Sequence, residues 1–142
     1  MEDKKIQVDI KVPNQTRYLS LIGKIGEDIA NELYRYSGDR ETLAYHINLV
    51  LTEAMANAIR HANASDPDKV VRIVILFSSD ELVIQVHDTG QGFDINNIPT
   101  PDSGNILDDR GRGISLIRSL MDSVCYRTLT DGNILEMTKK LL

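Results

Sequence analysis

The 142-residue sequence holds one cysteine, no tryptophan, two phenylalanines and no long apolar run. With Cys125 alone, no internal disulfide can form, and one cysteine with three histidines is too few for a zinc framework. Such sparing use of cysteine fits a reducing compartment. The longest unbroken apolar run, Ile73 to Phe77, is far short of the ~20 residues that span a bilayer. The first residues, MEDKKIQVDIKV, mix charges of both signs and contain no apolar stretch of signal-peptide length. The expectation is a soluble, cytoplasmic protein with no membrane partner. Basic residues are also outnumbered, 16 Lys plus Arg against 21 Asp plus Glu, for a net charge of −5. With aromatics at 5%, that balance argues against a nucleic-acid partner, because nucleic-acid affinity rests mainly on basic groups meeting phosphates.

What is present is ordinary globular material. Apolar residues make up 42% and charged residues 26%, with no repeat, linker or low-complexity tract. A chain of this length suits one domain, residues 1–142, with enough core to dispense with disulfide or metal staples. Ile6, Val8, Ile10 and Val12 alternate, which predicts a first strand over Lys5 to Val12. Leu19, Ile22, Ile29, Leu33 and Tyr36 recur at helical spacing toward Gly38, with Gly23 and Gly26 inviting close packing against a neighbour. Asp39 can cap a second helix whose buried stripe is Leu43, Ile47, Val50, Leu51, Ala54, Ala58 and Ile59, ending near Asn63. Val70 to Phe77 and Glu81 to Asp88 read as a hairpin around Ser78-Ser79-Asp80.

Thr89 to Arg112 reads as a long loop, of the kind that is usually functional in a compact domain. A short helix is predicted from near Gly113, with Ile114, Ile117 and Leu120 inward. Ser123 to Thr130 and Asn133 to Leu141 form a last hairpin, turning at Asp131-Gly132. The order β α α β β loop α β β does not alternate, which excludes a doubly wound fold. It predicts an α/β (α+β) two-layer sandwich: a mixed, mostly antiparallel sheet with helices on one face.

Three constellations could carry chemistry. Glu53, Asn57 and His61 stand at i, i+4 and i+8, drifting along one helical stripe. There a carboxylate can accept a proton and an amide oxygen can hold a hard cation such as Mg²⁺. The same spacing also describes the solvated face of an amphipathic helix. Asp88 continues the side of Leu82, Ile84 and Val86 and runs into Gly90 and Gly92. A carboxylate at the rim of a core needs a partner, and the amino group of a nucleobase would serve; an ordinary turn aspartate is the plainer alternative. Asp109-Arg110-Gly111-Arg112-Gly113 leads into a helix start, where free amides and two arginines suit phosphate, or where a loop simply enters a helix.

Together and in this order, the motifs resemble the GHKL ATPases, the superfamily of DNA gyrase, histidine kinases and MutL. Glu53, Asn57 and His61 match that family's N box; Asp88, Gly90 and Gly92 match its first glycine box; Gly111 and Gly113 match its second. The element order is that of the family's Bergerat fold. The compact form, with Gly111-Arg112-Gly113-Ile114-Ser115-Leu116-Ile117 followed by Leu120-Met121-Asp122-Ser123-Val124, is most similar to the bacterial anti-sigma-factor serine kinases.

The resemblance implies an ATP- and Mg²⁺-dependent serine protein kinase that phosphorylates a STAS-type anti-anti-sigma protein, restrains a sigma factor and so regulates transcription, typically as a homodimer. It implies Glu53 as the catalytic base and Asn57 as the Mg²⁺ ligand. His61 and Asp88 join the nucleotide site, with Asp88 selecting the adenine amino group. Gly90, Gly92, Arg110, Gly111, Arg112 and Gly113 would line the nucleotide, and residues 89 to 112 would hold an ATP lid. The sequence departs from the family at the last strand, where a Gly-Thr pair is replaced by Gly132-Asn133 and Thr138 lies too far along to substitute. An alternative is a non-catalytic ATP-binding regulator that sequesters a protein partner; the presence of Glu53 favours catalysis, since nucleotide binding alone does not require it. His46 is expected to be structural or solvated, His87 exposed and Cys125 buried.

Overall fold

The computed structural model describes residues 5–33, 36–62, 66–90 and 109–142, the side chains of 61–62 and 109–112 excepted. The elements are strand β1 (Ile6–Pro13), a 3₁₀ turn (Thr16–Tyr18), helix α1 (Leu19–Asn31), helix α2 (Arg40–Asn57), a π-helical turn (Ala58–Ala62), strands β2 (Val70–Phe77) and β3 (Glu81–Asp88), helix α3 (Asp109–Leu120), and strands β4 (Ser123–Leu129) and β5 (Gly132–Lys140). They form the expected α+β sandwich: one five-stranded sheet in the order β1-β2-β3-β5-β4, backed by the helices. All four strand pairings are antiparallel, so the parallel element of a mixed sheet is absent among the described residues.

Alternation decides which side of each strand is buried. Val71, Ile73 and Ile75 of β2, Leu82, Ile84 and Val86 of β3, and Leu135 and Met137 of β5 face the helices and are nearly solvent-free. Each such side chain contributes on the order of 1.5–3 kcal/mol by leaving water. The other face is mostly polar, though Val74 and Ile134 are buried on it. Arg72 donates to both Asp9 carboxylate oxygens at 2.9 and 2.7 Å, and Glu136 accepts from Gln85 at 2.7 Å and from Arg127 at 3.2 Å. These pairs are solvent-screened and add little stability.

Helix α2 lies at the centre. Asp39 caps it by accepting from the amide of Glu41 at 3.0 Å, as its position in the sequence predicts. Every residue of the predicted stripe is buried, and so are Ala44, Met55, Ala56 and Asn57, because the helix packs against α1 and α3 as well as contributing to the core over the sheet. Gly23 and Gly26 explain the approach of α1. A Cβ at Gly26 would come within 2.1 Å of Leu51 Cδ1, and one at Gly23 within 2.5 Å of Asn48 Oδ1.

The structure differs from expectation in several places. Helix α1 stops at Asn31 rather than near Gly38; Leu33 is buried beyond its end. Helix α3 begins at Asp109, four residues ahead of the expected Gly113, and takes in both glycines of the second box. The α-helical hydrogen bonding of α2 ends at Asn57 and continues as a π turn. The last hairpin turns on Thr130 and Asp131, and Gly132 pairs with Leu129 inside the ladder. Cys125 is exposed instead of buried, since it lies on edge strand β4 opposite Glu136, on the polar face. His87 is half-buried and bonded to Gln85 at 3.1 Å, not simply exposed.

Gly132 is the position where glycine is required. Its φ is +152°, and an added Cβ would lie 2.0 Å from the carbonyl oxygen of Asp88. Gly132→Ala is expected to lower stability by about 1–3 kcal/mol from backbone conformation alone, and more from the contact with backbone that cannot swing away. A thermal melt should drop by roughly 2–4 °C per kcal/mol lost.

Candidate functional site

Strand β3 sets the first feature. Its burial alternates along its length, so Asp88 follows Leu82, Ile84 and Val86 to the helix-facing side and is 7% exposed. Burial of a carboxylate is costly unless it is hydrogen-bonded. Asp88 Oδ1 accepts from the amide of Gly90 at 2.9 Å and from Asn133 Nδ2 at 2.8 Å. The second of these was not foreseen from the motifs. It follows from sheet register: β3 pairs with β5 so that Asp88 stands opposite Asn133, which is 2% exposed. Burial pushes the Asp88 carboxyl above its ordinary range, and the bonds from Asn133 and Gly90 oppose that rise.

The second feature lies on α2. Asn57 is 6% exposed, and its Oδ1 is buried with no hydrogen-bond partner. A solvated polar stripe would not bury this residue. An orphaned carbonyl oxygen is a hard donor, the type that Mg²⁺ accepts, and Mg²⁺ usually completes its shell with water and phosphate rather than with a protein cage. The residue thus fits the cation. Glu53, one turn earlier on the same helix, is half-buried. A helical stripe carrying His61 does not continue in α register, because the π turn over Ala58–Ala62 changes the spacing after Asn57.

The third feature meets the second. Gly113 is buried where α3 packs on α2, and a Cβ there would lie 2.9 Å from Glu53 Oε2. The π turn in its turn packs against β3. Helix α2 therefore links the strand that carries Asp88 to the helix that carries Gly113. Gly90 takes part through its amide; Gly111 lies in the first turns of α3, as do Arg110 and Arg112, whose side chains are outside the described residues. Gly92 and residues 91 to 108 of the expected 89 to 112 lid also lie outside them, as does the side chain of His61.

Among the cavities at the described residues, one lies away from the site and another reaches it. One of about 610 Å³ between α1 and β1, lined by Ile25, Ile29 and Phe77 among others, includes none of the predicted site residues. Another of about 370 Å³ at the strand ends reaches Asp88 and Asn133 beside Lys11, Arg72 and His87. Among the described residues no helix is long and apolar enough to cross a membrane.

Residues 15–139 match the histidine kinase-like ATPase domain family. Proteins named serine-protein kinase RsbW from Bacillus cereus (strain Q1) and Bacillus thuringiensis subsp. konkukian are each 28% identical over 125 residues, covering 83% of this chain and 75% of theirs. The histidine kinase domain of the Erythrobacter litoralis EL346 blue-light activated histidine kinase superposes with a TM-score of 0.52 at 20% identity. That match covers 92% of this chain and 62% of the solved one, so the chain spans less than two thirds of that kinase domain.

The Asp88 environment yields a stability test. Its carboxyl is raised, so the folded protein binds its proton more readily than the unfolded chain, and ionisation of Asp88 opposes folding as pH rises through its pKa. Asp88→Asn keeps an oxygen that can accept from Gly90 and Asn133. It is expected to melt at or above the wild-type temperature at pH 7, with the difference closing as pH falls and wild-type Asp88 becomes protonated. Thermal melts across that pH range check it.

Proposed function

The chain belongs to the histidine kinase-like ATPase domain family, and on that premise we propose that it is an ATP- and Mg²⁺-dependent serine protein kinase. In this reading residues 1–142 act as one catalytic domain. Its substrate is a serine on a small STAS-type anti-anti-sigma protein, and it restrains a sigma factor while that antagonist is phosphorylated. It works as a homodimer in the cytoplasm, with neither nucleic acid nor membrane as a partner. The relatives named serine-protein kinase support the reading.

The observation that carries it is the meeting of Glu53 with the glycine start of α3, one turn from the orphaned amide oxygen of Asn57. Phosphoryl transfer asks for a positioned acceptor hydroxyl and for charge stabilisation at the phosphates. Glu53 is the candidate base: its carboxylate accepts the proton of the attacking serine hydroxyl. Asn57 Oδ1 would hold Mg²⁺, which when bound offsets phosphate charge. Asp88 accepts from the amino group of adenine, so a keto group at the same place, as in guanine, meets an acceptor instead of a donor. Gly90 and Gly92 let the chain run close to the base, and His61 adds to the nucleotide site. Arg110, Gly111 and Arg112 present amides and charge to the phosphates, and Gly113, further inside α3, lets that helix come close. Residues 89 to 112 form the lid over them. Gly113 has a second duty here, since any side chain would displace the Glu53 carboxylate.

The experiment is transfer of labelled phosphate from ATP to serine-containing antagonist-type proteins, run with Glu53→Gln and Asp88→Asn beside the wild type. Glu53→Gln should cut transfer by roughly 10²–10⁴-fold while ATP binding persists. Asp88→Asn should weaken ATP binding by roughly 10- to 100-fold, the scale of a hydrogen bond to a charged group. Transfer that survives in Glu53→Gln would remove the base assignment. A wild-type protein that binds both ATP and the antagonist yet moves no label would instead be a nucleotide-dependent sequestering protein.

Gly113→Ala offers an independent check. Alanine is the better helix former by about 1 kcal/mol, so the melting temperature should hold or rise. Transfer should fall because the new methyl group moves Glu53, and kinetics paired with a melt separate the two effects.

A further inference from the structure

Strand β1 is one edge of the sheet, and among the described residues no strand lies beyond it. An edge leaves a row of backbone donors and acceptors unpaired. The register shows which residues own that row. The Asn14 amide donates to the Lys69 carbonyl at 3.0 Å, one step past the Pro13–Val70 pair. Bonded pairs in an antiparallel ladder recur at every second residue, so Ile6, Val8, Ile10 and Val12 bond to β2. Gln7, Asp9 and Lys11 therefore turn their N–H and C=O groups outward. The helices also cover this strand incompletely. Ile6 is 48% exposed and Val8 and Ile10 are half-buried; Ile6 and Val8 line the groove of about 610 Å³ beside α1. On the polar face Lys11 stands opposite Arg72, cation against cation, while Asp9 accepts from the same arginine.

We propose that β1 pairs antiparallel with β1 of a second copy, about a two-fold axis at Ile10, so that two sheets run on as one. A strand added to a free edge gains main-chain bonds, and the facing side chains set the register. A symmetric pairing through the outward groups can centre on any residue from Gln7 to Lys11. An axis at Asp9 or at Lys11 sets like charges face to face, which is unfavourable. One at Val8 opposes Lys5 to Lys11, and one at Gln7 engages only Ile6 to Val8 of the strand. The axis at Ile10 pairs the strand from Gln7 to Pro13 and sets Asp9 against the partner's Lys11, twice by symmetry. It thereby brings a carboxylate to Lys11, which its own sheet places beside Arg72. A carboxylate has about four lone-pair sites, so Asp9 can receive that ammonium while holding Arg72. On the helix side Val8 meets the partner's Val12, covering apolar surface that the helices leave open. Pro13 falls at the end of the ladder opposite Gln7, where its carbonyl accepts and its missing N–H costs one bond. The other edge strand, β4, holds Arg127 and no acid, so it has no such self-complement.

The inference deepens the homodimer reading, and the experiment keeps the two apart. Sedimentation equilibrium of the full chain would give dissociation constants for wild type, Lys11→Glu, Asp9→Lys and an equimolar mixture of those variants. Each variant alone meets like charges twice across the axis, and its dimer should weaken roughly 10- to 100-fold. In the mixture both facing pairs become opposite again, so the average mass should climb back toward the dimer. Asp9→Lys also loses the exposed Arg72 pair, which adds little stability, and a melt of each variant checks its folding. Gln7→Pro removes one outward N–H and no bond to β2, and it should weaken the dimer roughly tenfold. It carries the test if a charge variant does not fold. A wild-type dimer whose affinity is unchanged in all three variants overturns the β1 interface and leaves the homodimer standing. Weakening with no recovery on mixing overturns the axis at Ile10. A wild-type chain that stays monomeric up to roughly 0.1 mM overturns both the interface and the homodimer. Phosphate transfer, measured separately, decides the kinase reading.

Discussion

The candidate site depends on one constraint, the strict two-residue period of β3. That period buries Leu82, Ile84 and Val86, and it carries Asp88 to the same side of the sheet. The carboxylate cannot be moved to water without turning the strand's apolar set outward as well. What remains is to satisfy it where it stands. The β3–β5 register does so by placing Asn133 opposite, and Gly132 makes the register possible because a side chain there would strike the Asp88 carbonyl. Core packing and the geometry of the polar pair are two results of the same pleat.

Helix α2 plays the corresponding part across the layer. It is buried on several sides, which is how Asn57 comes to be enclosed with its amide oxygen unmet. The close approach of α1 at Gly23 and Gly26 and the seat of α3 at Gly113 fix it from both flanks. Precise placement of Glu53 then comes from packing on rigid helices, the more exact of the supports a protein can offer a reactive group.

Much of this was legible in the sequence because it follows from local periodicity. The hairpin strands Val70–Phe77 and Glu81–Asp88 fall where alternation puts them, and the α2 stripe is buried at each position that helical spacing selects. The cap at Asp39 and the inward side of Asp88 were legible for the same reason. What was not legible depends on contacts between distant segments. The bond from Asn133 to Asp88 crosses 45 residues and needs the β3–β5 pairing. The π turn after Asn57 is a hydrogen-bond change that no pattern of apolar residues reports. Cys125 reads as a small apolar residue by type, yet its strand is an edge and, among the described residues, its side of the sheet has no helix over it. The start of α3 at Asp109 is not legible because glycines at 111 and 113 read as loop, and only the contact of Gly113 with Glu53 on α2 accounts for the second of them.

The exposure of Cys125 has a practical consequence. It is the single thiol in the chain, on the sheet face opposite to Asp88, Asn133 and the helices. A maleimide fluorophore attached there would be stoichiometric by construction and would leave the polar pair and α2 untouched. The native sequence thus arrives with its own labelling handle, and a dye at that position can report rotational diffusion, and with it assembly state, without a mutation.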